Sequence, residues 1–179
     1  MGAKTLFSVA DYQALDEPDG AQYELSEGEL IVSPSTTFSH NEIRDRLNAH
    51  LRAFVEPRRM GEVTSETDFQ LSSATVRRPD VAFLAAARFR PEYRQQVPIP
   101  LAPDVVFEVV SDNDRAAALL QKVQQYLAAG SGAVWLLYPK LGLAHRHGGG
   151  GVGAATVLQE PELLPGWALE LAAIFAPQG

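Results

Sequence analysis

Cysteine is absent from the 179 residues. That excludes disulfides, thiolate zinc sites and a cysteine nucleophile. Nor is there a run near the roughly 20 apolar residues that a membrane helix needs. The opening MGAKTLFSVADYQAL returns to polar residues too soon for a secretory signal. Leu6 stands where a myristoylation motif after Met1-Gly2 requires Ser or Thr. The expected location is therefore cytoplasmic, with no membrane partner. No Gly-x-Ser-x-Gly elbow occurs, against a standard esterase. An excess of positive charge is also missing, the formal net charge being −7. Proteins that grip nucleic acid by neutralising phosphates usually show a basic face, so any DNA affinity is expected to be weak. Local basic clusters remain at Arg58-Arg59, Arg77-Arg78 and Arg88 with Arg90.

The length suits one domain over residues 1–179 with a sizeable core. Ser8 followed by Asp11 predicts a short helix over Ser8 to Leu15. Asp16 to Gly20 predicts a turn. Tyr23 to Ser26 and Glu29 to Ser33, joined at Glu27-Gly28, predict a hairpin. Ile43, Leu47, Leu51 and Phe54 share one helical face, which predicts a helix from about Ser39 to Val55. Val63 to Leu71 and Val76 to Leu84 read as strands, the second well paired only from near Asp80 because of Pro79. Residues 85 to 103, with four prolines, read as irregular. Asp104 to Val110 (DVVFEVV) reads as a buried central strand. Asp112-Asn113-Asp114 caps an expected helix from Arg115 to Ala129. Ala133 to Tyr138 is the next buried strand, expected parallel to 104–110 through the helical crossover. Weak strands over 141–147 and 154–158 flank a glycine turn at Gly148 to Gly151, and Trp167 to Phe175 closes the chain as strand and turn. The glycine run lacks the Lys-Ser/Thr and helix of a phosphate loop. The order helix, strand, strand, strand, helix, strand implies an α/β layer fold around one sheet.

Two carboxylates stand where burial makes them costly. Glu108 interrupts VVF-E-VV, and Asp80 precedes VAFLAAA. A buried carboxylate must be paired, hydrogen-bonded, metal-bound or neutralised. Two of them on neighbouring strands suit a hard divalent cation, whose remaining ligands come from water and substrate phosphate. Each also has a plainer reading: Asp80 as a strand-start residue, Glu108 as a wet strand end or an arginine's partner. Lys122, in LLQKVQQYLAAG, lies beside Tyr126 at the margin of an apolar arc formed by Ala116, Leu119, Leu120, Val123 and Leu127. By spacing alone it reads as a snorkelling side chain. Helix and strand rises nevertheless bring it back over the carboxylates. Two turns at about 5.4 Å overshoot the roughly 7 Å from Val110 to Glu108, and helical side chains lean toward their amino end. Its nitrogen is expected within about 6 Å of a Glu108 or Asp80 oxygen, where opposite charges couple strongly. His145 and His147 share a strand face but lack a third ligand, and read as a solvated strand end. Trp135 and Trp167 read as core.

RRPDVAFL, VVFEVVSDND, QKVQQYLAAG and AVWLLYP in this order resemble a bacterial family of proposed restriction endonucleases, formerly a domain of unknown function. YELSEGELIVSP, followed by His40 and an amphipathic helix, resembles it too. The resemblance spans about Tyr23 to Pro139. It implies a restriction-endonuclease-like PD-(D/E)xK fold of α/β (α+β) class. A mixed central sheet is flanked by helices, with an N-terminal hairpin and C-terminal strands added. The lysine usual two residues after the Glu is replaced here by Val110 and migrates to the next helix, at Lys122. Asp80 and Glu108 would then hold Mg²⁺, or Mn²⁺, and Lys122 would position water or stabilise developing charge. Glu24, His40 and Tyr126 are supporting candidates. This chain departs from the family pattern at Asp112, Ala118 and Tyr138. The expected function is a metal-dependent endonuclease acting on DNA, in the form of a homodimer if both strands are cut. The alternative is a catalytically silent nucleic-acid-binding or scaffold protein with the same fold.

Overall fold

The computed structural model describes residues 6–16, 21–112 and 114–176. Its first half holds helix α1 (Val9–Gln13), strands β1 (Ala21–Ser26) and β2 (Glu29–Pro34), helix α2 (Phe38–Val55), and strands β3 (Gly61–Ser65), β4 (Phe69–Ser72), β5 (Thr75–Arg77) and β6 (Val81–Ala85). Strand β7 (Val105–Val109), helix α3 (Ala116–Ala128) and strands β8 (Ala133–Tyr138), β9 (Leu143–Gly148) and β10 (Gly151–Ala155) follow. Strands β11 (Val157–Glu160) and β12 (Leu164–Glu170) and helix α4 (Ala172–Phe175) end the chain. Residues 17–20 of the expected turn, and Asn113 of the expected cap, lie outside the described residues.

A six-stranded sheet in the order β10-β9-β8-β7-β6-β3 forms the centre. Its β7–β8 pair is parallel and its other pairs are antiparallel, so the sheet is mixed. The run 104–110 is apolar on both faces because both are covered. Val105, Phe107 and Val109 pack with Ile43, Leu47 and Leu51 of α2. Val106 packs with Val123 and Tyr126 of α3. Glu108, two residues from Val106, therefore points to the α3 face. The buried side of α3 centres on Val123 and Tyr126, while Leu120 is half exposed and Ala116 exposed, so the apolar arc is narrower than expected.

The two long strands expected over 63–71 and 76–84 each break in two. β3 and β6 pair in the six-stranded sheet, whereas β4 and β5 pair in a four-stranded sheet of order β2-β1-β5-β4. The runs thus form one hairpin that crosses between sheets. Glu66, at φ 48°, turns the first run. Pro79, which has no N–H to give a ladder, breaks the second. Asp80 follows that break, immediately before β6. At Gly61 a Cβ would lie 1.9 Å from the Leu84 carbonyl oxygen, so only glycine lets β3 approach β6. The Glu27-Gly28 hairpin turn has both residues at positive φ, the geometry of a type I′ turn.

Other boundaries shift for local reasons. Thr37, not Ser39, starts α2: its hydroxyl accepts from the His40 N–H. Arg115 precedes α3 without a side-chain cap. Asp114 instead accepts from the backbone N–H and hydroxyl of Ser111. The expected strand 154–158 divides between β10 and β11, which pairs with β12 in a separate sheet. The expected closing turn is the helix α4. Residues 85–103 hold a 3₁₀ turn over Pro91–Gln95. Among the described residues no helix is long and apolar enough to cross a membrane.

Candidate active site

The break before β6 and the centre of β7 put Asp80 and Glu108 side by side. Val81 pairs with Phe107, so the next antiparallel step aligns Asp80 with Glu108. Asp80 Oδ2 accepts the Val109 N–H at 2.7 Å. His40, at the start of α2, brings Nε2 to 2.9 Å from the Val109 carbonyl oxygen and 3.4 Å from Asp80 Oδ2. Both neighbours are acceptors, so Nε2 carries a hydrogen, and the buried Nδ1 has no hydrogen-bond partner among the described residues. Burial opposes a charge on His40, but Asp80 and the Val109 carbonyl outweigh it and raise its pKa. His40 therefore steadies Asp80 rather than offering a lone pair.

Lys122 Nζ lies 2.9 Å from Glu108 Oε1 and 3.1 Å from Glu24 Oε1, inside the roughly 6 Å expected from helix and strand rises. Tyr126, one helical turn further, donates its hydroxyl to Glu108 Oε1 at 3.2 Å. Glu24 comes from β1, in the other sheet. Its Oε1 also accepts the Arg78 N–H at 2.7 Å, and its Oε2 meets Arg77 Nη1 at 3.0 Å. Arg77 is 3 % exposed and spends its other nitrogens on Gln125 and Ser26. Asp80, Glu108, Lys122, Glu24, His40 and Tyr126 thus meet at one place, drawn from four elements and one loop residue.

Sequence reasoning missed Arg77 and Gln125. Arg77 was read as part of a surface cluster, although its place in the apolar run before Pro79 signals burial. Gln125 lies three residues after Lys122, hence on the same helix face. The local basic clusters divide: Arg77, Arg78 and Arg88 pair with carboxylates, whereas Arg58, Arg59 and Arg90 are exposed. Arg78 pairs with Asp68 and Arg88 with Asp104, while Arg58 lies 4.0 Å over the Phe54 ring. His147 is buried rather than solvated, while Trp135 and Trp167 are core as expected.

With Glu108 ionised, three carboxylates face Lys122 and Arg77; with Glu108 protonated, the charges balance. Burial opposes ionisation of Glu24, but Lys122, Arg77 and the Arg78 N–H hold its carboxyl below the usual range. Glu108 goes the other way. Burial pushes its carboxyl up to about 8, opposed by Lys122 and reinforced by Asp80 and Glu24. Burial would strip the Lys122 proton, yet Glu108 and Glu24 outweigh it and keep the ammonium charged. Burial and the same carboxylates keep the Tyr126 hydroxyl protonated.

The donor set fits a hard divalent cation. Asp80 Oδ1 and Glu108 Oε2 accept no hydrogen bond from a described residue, so both oxygens are open to an ion, which would displace the Glu108 proton. Among the described residues no three His, Cys, Asp or Glu side chains form a complete cage. Asp80 and Glu108 could therefore supply only two of a cation's ligands, a number that Mg²⁺ accepts when water fills its other positions. A cavity of about 880 Å³ lies elsewhere, beside Arg146 and Glu160, and none of these residues lines it.

A family model described as "Uma2: Putative restriction endonuclease" matches residues 9–175. A crystal structure of a "putative nuclease belonging to DUF820" from Anabaena variabilis superposes with a TM-score of 0.83 at 17% identity. That match covers 94% of this chain and 97% of the other, and shows that the two share a fold. No curated protein matches the chain significantly.

Proposed function

We propose that this chain, which belongs to the Uma2 family of proposed restriction endonucleases, is a divalent-metal-dependent endonuclease acting on DNA. The observation that carries the reading is the meeting of Asp80, Glu108 and Lys122. They stand 28 and 14 residues apart in sequence, yet Lys122 touches Glu108 and Asp80 immediately precedes the adjoining strand. A Mg²⁺ or Mn²⁺ ion held by Asp80 and Glu108 would supply an activated water and offset phosphate charge. Lys122, clamped between Glu24 and Glu108, presents a fixed ammonium to the charge that develops on the phosphate oxygens. Lys122 and Arg77 together keep Glu24 ionised, and Glu24 in turn anchors that ammonium. Tyr126 orients the Glu108 carboxyl, and His40 with the Val109 N–H orients Asp80. The acidic net charge makes the DNA contact weak, or dependent on a partner that delivers it. Cleavage of both strands would suit a homodimer of this single domain.

Plasmid and single-stranded DNA incubated with Mg²⁺ or Mn²⁺ and scored on gels test the reading. Cleavage should vanish with chelator and in Asp80→Asn. Cleavage that persists in the purified double variant Asp80→Asn/Glu108→Gln would assign it to another site or to a contaminant. The alternative is a catalytically silent nucleic-acid-binding or scaffold protein that keeps the fold, for which the net charge of −7 predicts weak contact with nucleic acid as well. A metal-binding isotherm separates the two. Binding lost in Asp80→Ala supports the enzyme, and no binding by the wild type supports the silent protein.

A further inference from the structure

Arg77, the last residue of β5, is 3 % exposed, and each of its side-chain nitrogens goes to a different partner. Nη1 meets Glu24 Oε2 at 3.0 Å, Nη2 donates to Ser26 Oγ at 2.9 Å and Nε donates to Gln125 Oε1 at 2.8 Å. Two of these partners stand on β1 and the third on α3. Gln125 Nε2 in turn donates to Ser26 Oγ at 2.9 Å, which closes Arg77, Gln125 and Ser26 into a ring. Ser26 and Gln125 thereby fix the guanidinium plane, and Gln125 ties it to α3 one turn from Lys122.

Glu24 stands between two cations. Its Oε2 faces Arg77, and its Oε1 faces Lys122 Nζ at 3.1 Å. Lys122 has Glu108 as a second carboxylate at 2.9 Å, so the ammonium is shared almost evenly. Arg77 biases that sharing in two ways. It offsets the charge of Glu24, which weakens the pull of that carboxylate on Lys122. Its own charge also opposes that of the ammonium. Without Arg77, Glu24 would be a buried carboxylate left with Lys122 and the Arg78 N–H. A buried charge that loses its partner is costly. The nearest relief is for the ammonium to settle on Glu24 and leave Glu108.

We propose that Arg77 is a positioning residue: by occupying Glu24 it keeps the Lys122 ammonium on Glu108, where the phosphate would be cleaved. The catalytic consequence rests on the nuclease reading above, whereas the placement of the ammonium does not. Crystal structures of metal-free variants read that placement, and melting curves verify that each variant folds. In Arg77→Met, Nζ should stay on Glu24 and move beyond hydrogen-bond distance of Glu108. Arg77→Gln, which keeps a donor for Ser26 but no charge, should displace it in the same way. In Arg77→Met/Glu24→Gln the competing charge is gone, and Nζ should return to Glu108. An ammonium that keeps both carboxylates in the single variants overturns the proposal, whether or not the wild type cuts DNA. Cleavage, assayed well below each melting temperature, should fall at least about tenfold in Arg77→Met and recover in the double variant. Mn²⁺ affinity should hold or tighten in Arg77→Met, because the ammonium no longer competes for Glu108. An arginine that served the fold alone would lower metal affinity and cleavage together, without rescue by Glu24→Gln, and that result also overturns the proposal. Absence of cleavage by the wild type, with the ammonium displaced in Arg77→Met, would remove the nuclease reading and leave the positioning of Lys122 standing.

Discussion

Glu108→Gln should make the metal-free protein more stable while removing its activity. The folded Glu108 carboxyl titrates at about 8, against 4.5 for an unperturbed group. A carboxyl whose folded pKa stands above its unfolded value keeps its proton longer in the folded state. The contribution to stability is therefore full below about 4.5 and is lost as pH climbs to about 8. Each pH unit in that window costs about 1.4 kcal/mol, so the loss is about 3 kcal/mol at pH 7 and at most about 5 kcal/mol by pH 8. Glutamine does not titrate and escapes this slope. It forfeits the charge-assisted bond from Lys122, but that ammonium keeps Glu24 as its partner. Urea unfolding in chelator at several pH values between 5 and 8 measures the difference. The advantage of Gln over Glu should grow by about 1.4 kcal/mol per pH unit. Added Mn²⁺ should stabilise the wild type and not the variant, because an ion that binds only the folded state shifts its unfolding. A difference flat across this range would refute the argument that burial and neighbouring carboxylates load Glu108 with unfavourable charge.

Asp80→Asn keeps an oxygen to accept the Val109 N–H, so its melting temperature should stay within a few degrees of wild type. Calorimetry should show metal affinity reduced at least about tenfold. Lys122→Met should lower cleavage by about a hundredfold or more, as expected for loss of a fixed charge at the transition state. Its Mn²⁺ affinity should hold or tighten, since Lys122 competes for Glu108, and weaker metal binding would count against that competition. Gly61→Ala should cost about 3 kcal/mol in urea unfolding, because the new Cβ collides with the Leu84 carbonyl. An unchanged midpoint would contradict the β3–β6 register.

The central elements were legible because each carries a strong local pattern. DVVFEVV and AVWLLY are apolar on every side and became β7 and β8, and the crossover between them fixed their parallel sense. Asp80 and Glu108 stood out as charges inside such runs. The breaks at Glu66 and Pro79 were less legible. Alternation along 63–71 and 76–84 continues across them, and nothing local states that the two ends join different sheets. The burial of His147 and the partners of His40 were hidden for a related reason. Burial of His147 depends on α3 lying over its strand face, and the contact of His40 with Val109 joins residues 69 positions apart. The arginine clusters read as surface because adjacent cations usually are. Arg77 is buried only because Glu24, Gln125 and Ser26 surround it.

The lysine's place on α3 follows from what that helix must do. A lysine two residues past Glu108 would stand at Val110, which here packs with the apolar cluster beneath α3. Lys122 instead reaches Glu108 in the six-stranded sheet and Glu24 in the four-stranded sheet at once. Gln125 and Tyr126, three and four residues on, share its face and also reach both sheets, through Ser26 and Glu108. The face of QKVQQY that looks polar is therefore partly buried, and the apolar arc is narrow as a result. An inward charge is tolerated on a helix only where it has buried partners of opposite sign. Here both partners are carboxylates fixed on strands, one held by Arg77 and the other beside Asp80. The contacts that seat α3 between the two sheets are thus the same contacts that hold one ammonium beside Glu108, which the proposed phosphodiester cleavage requires.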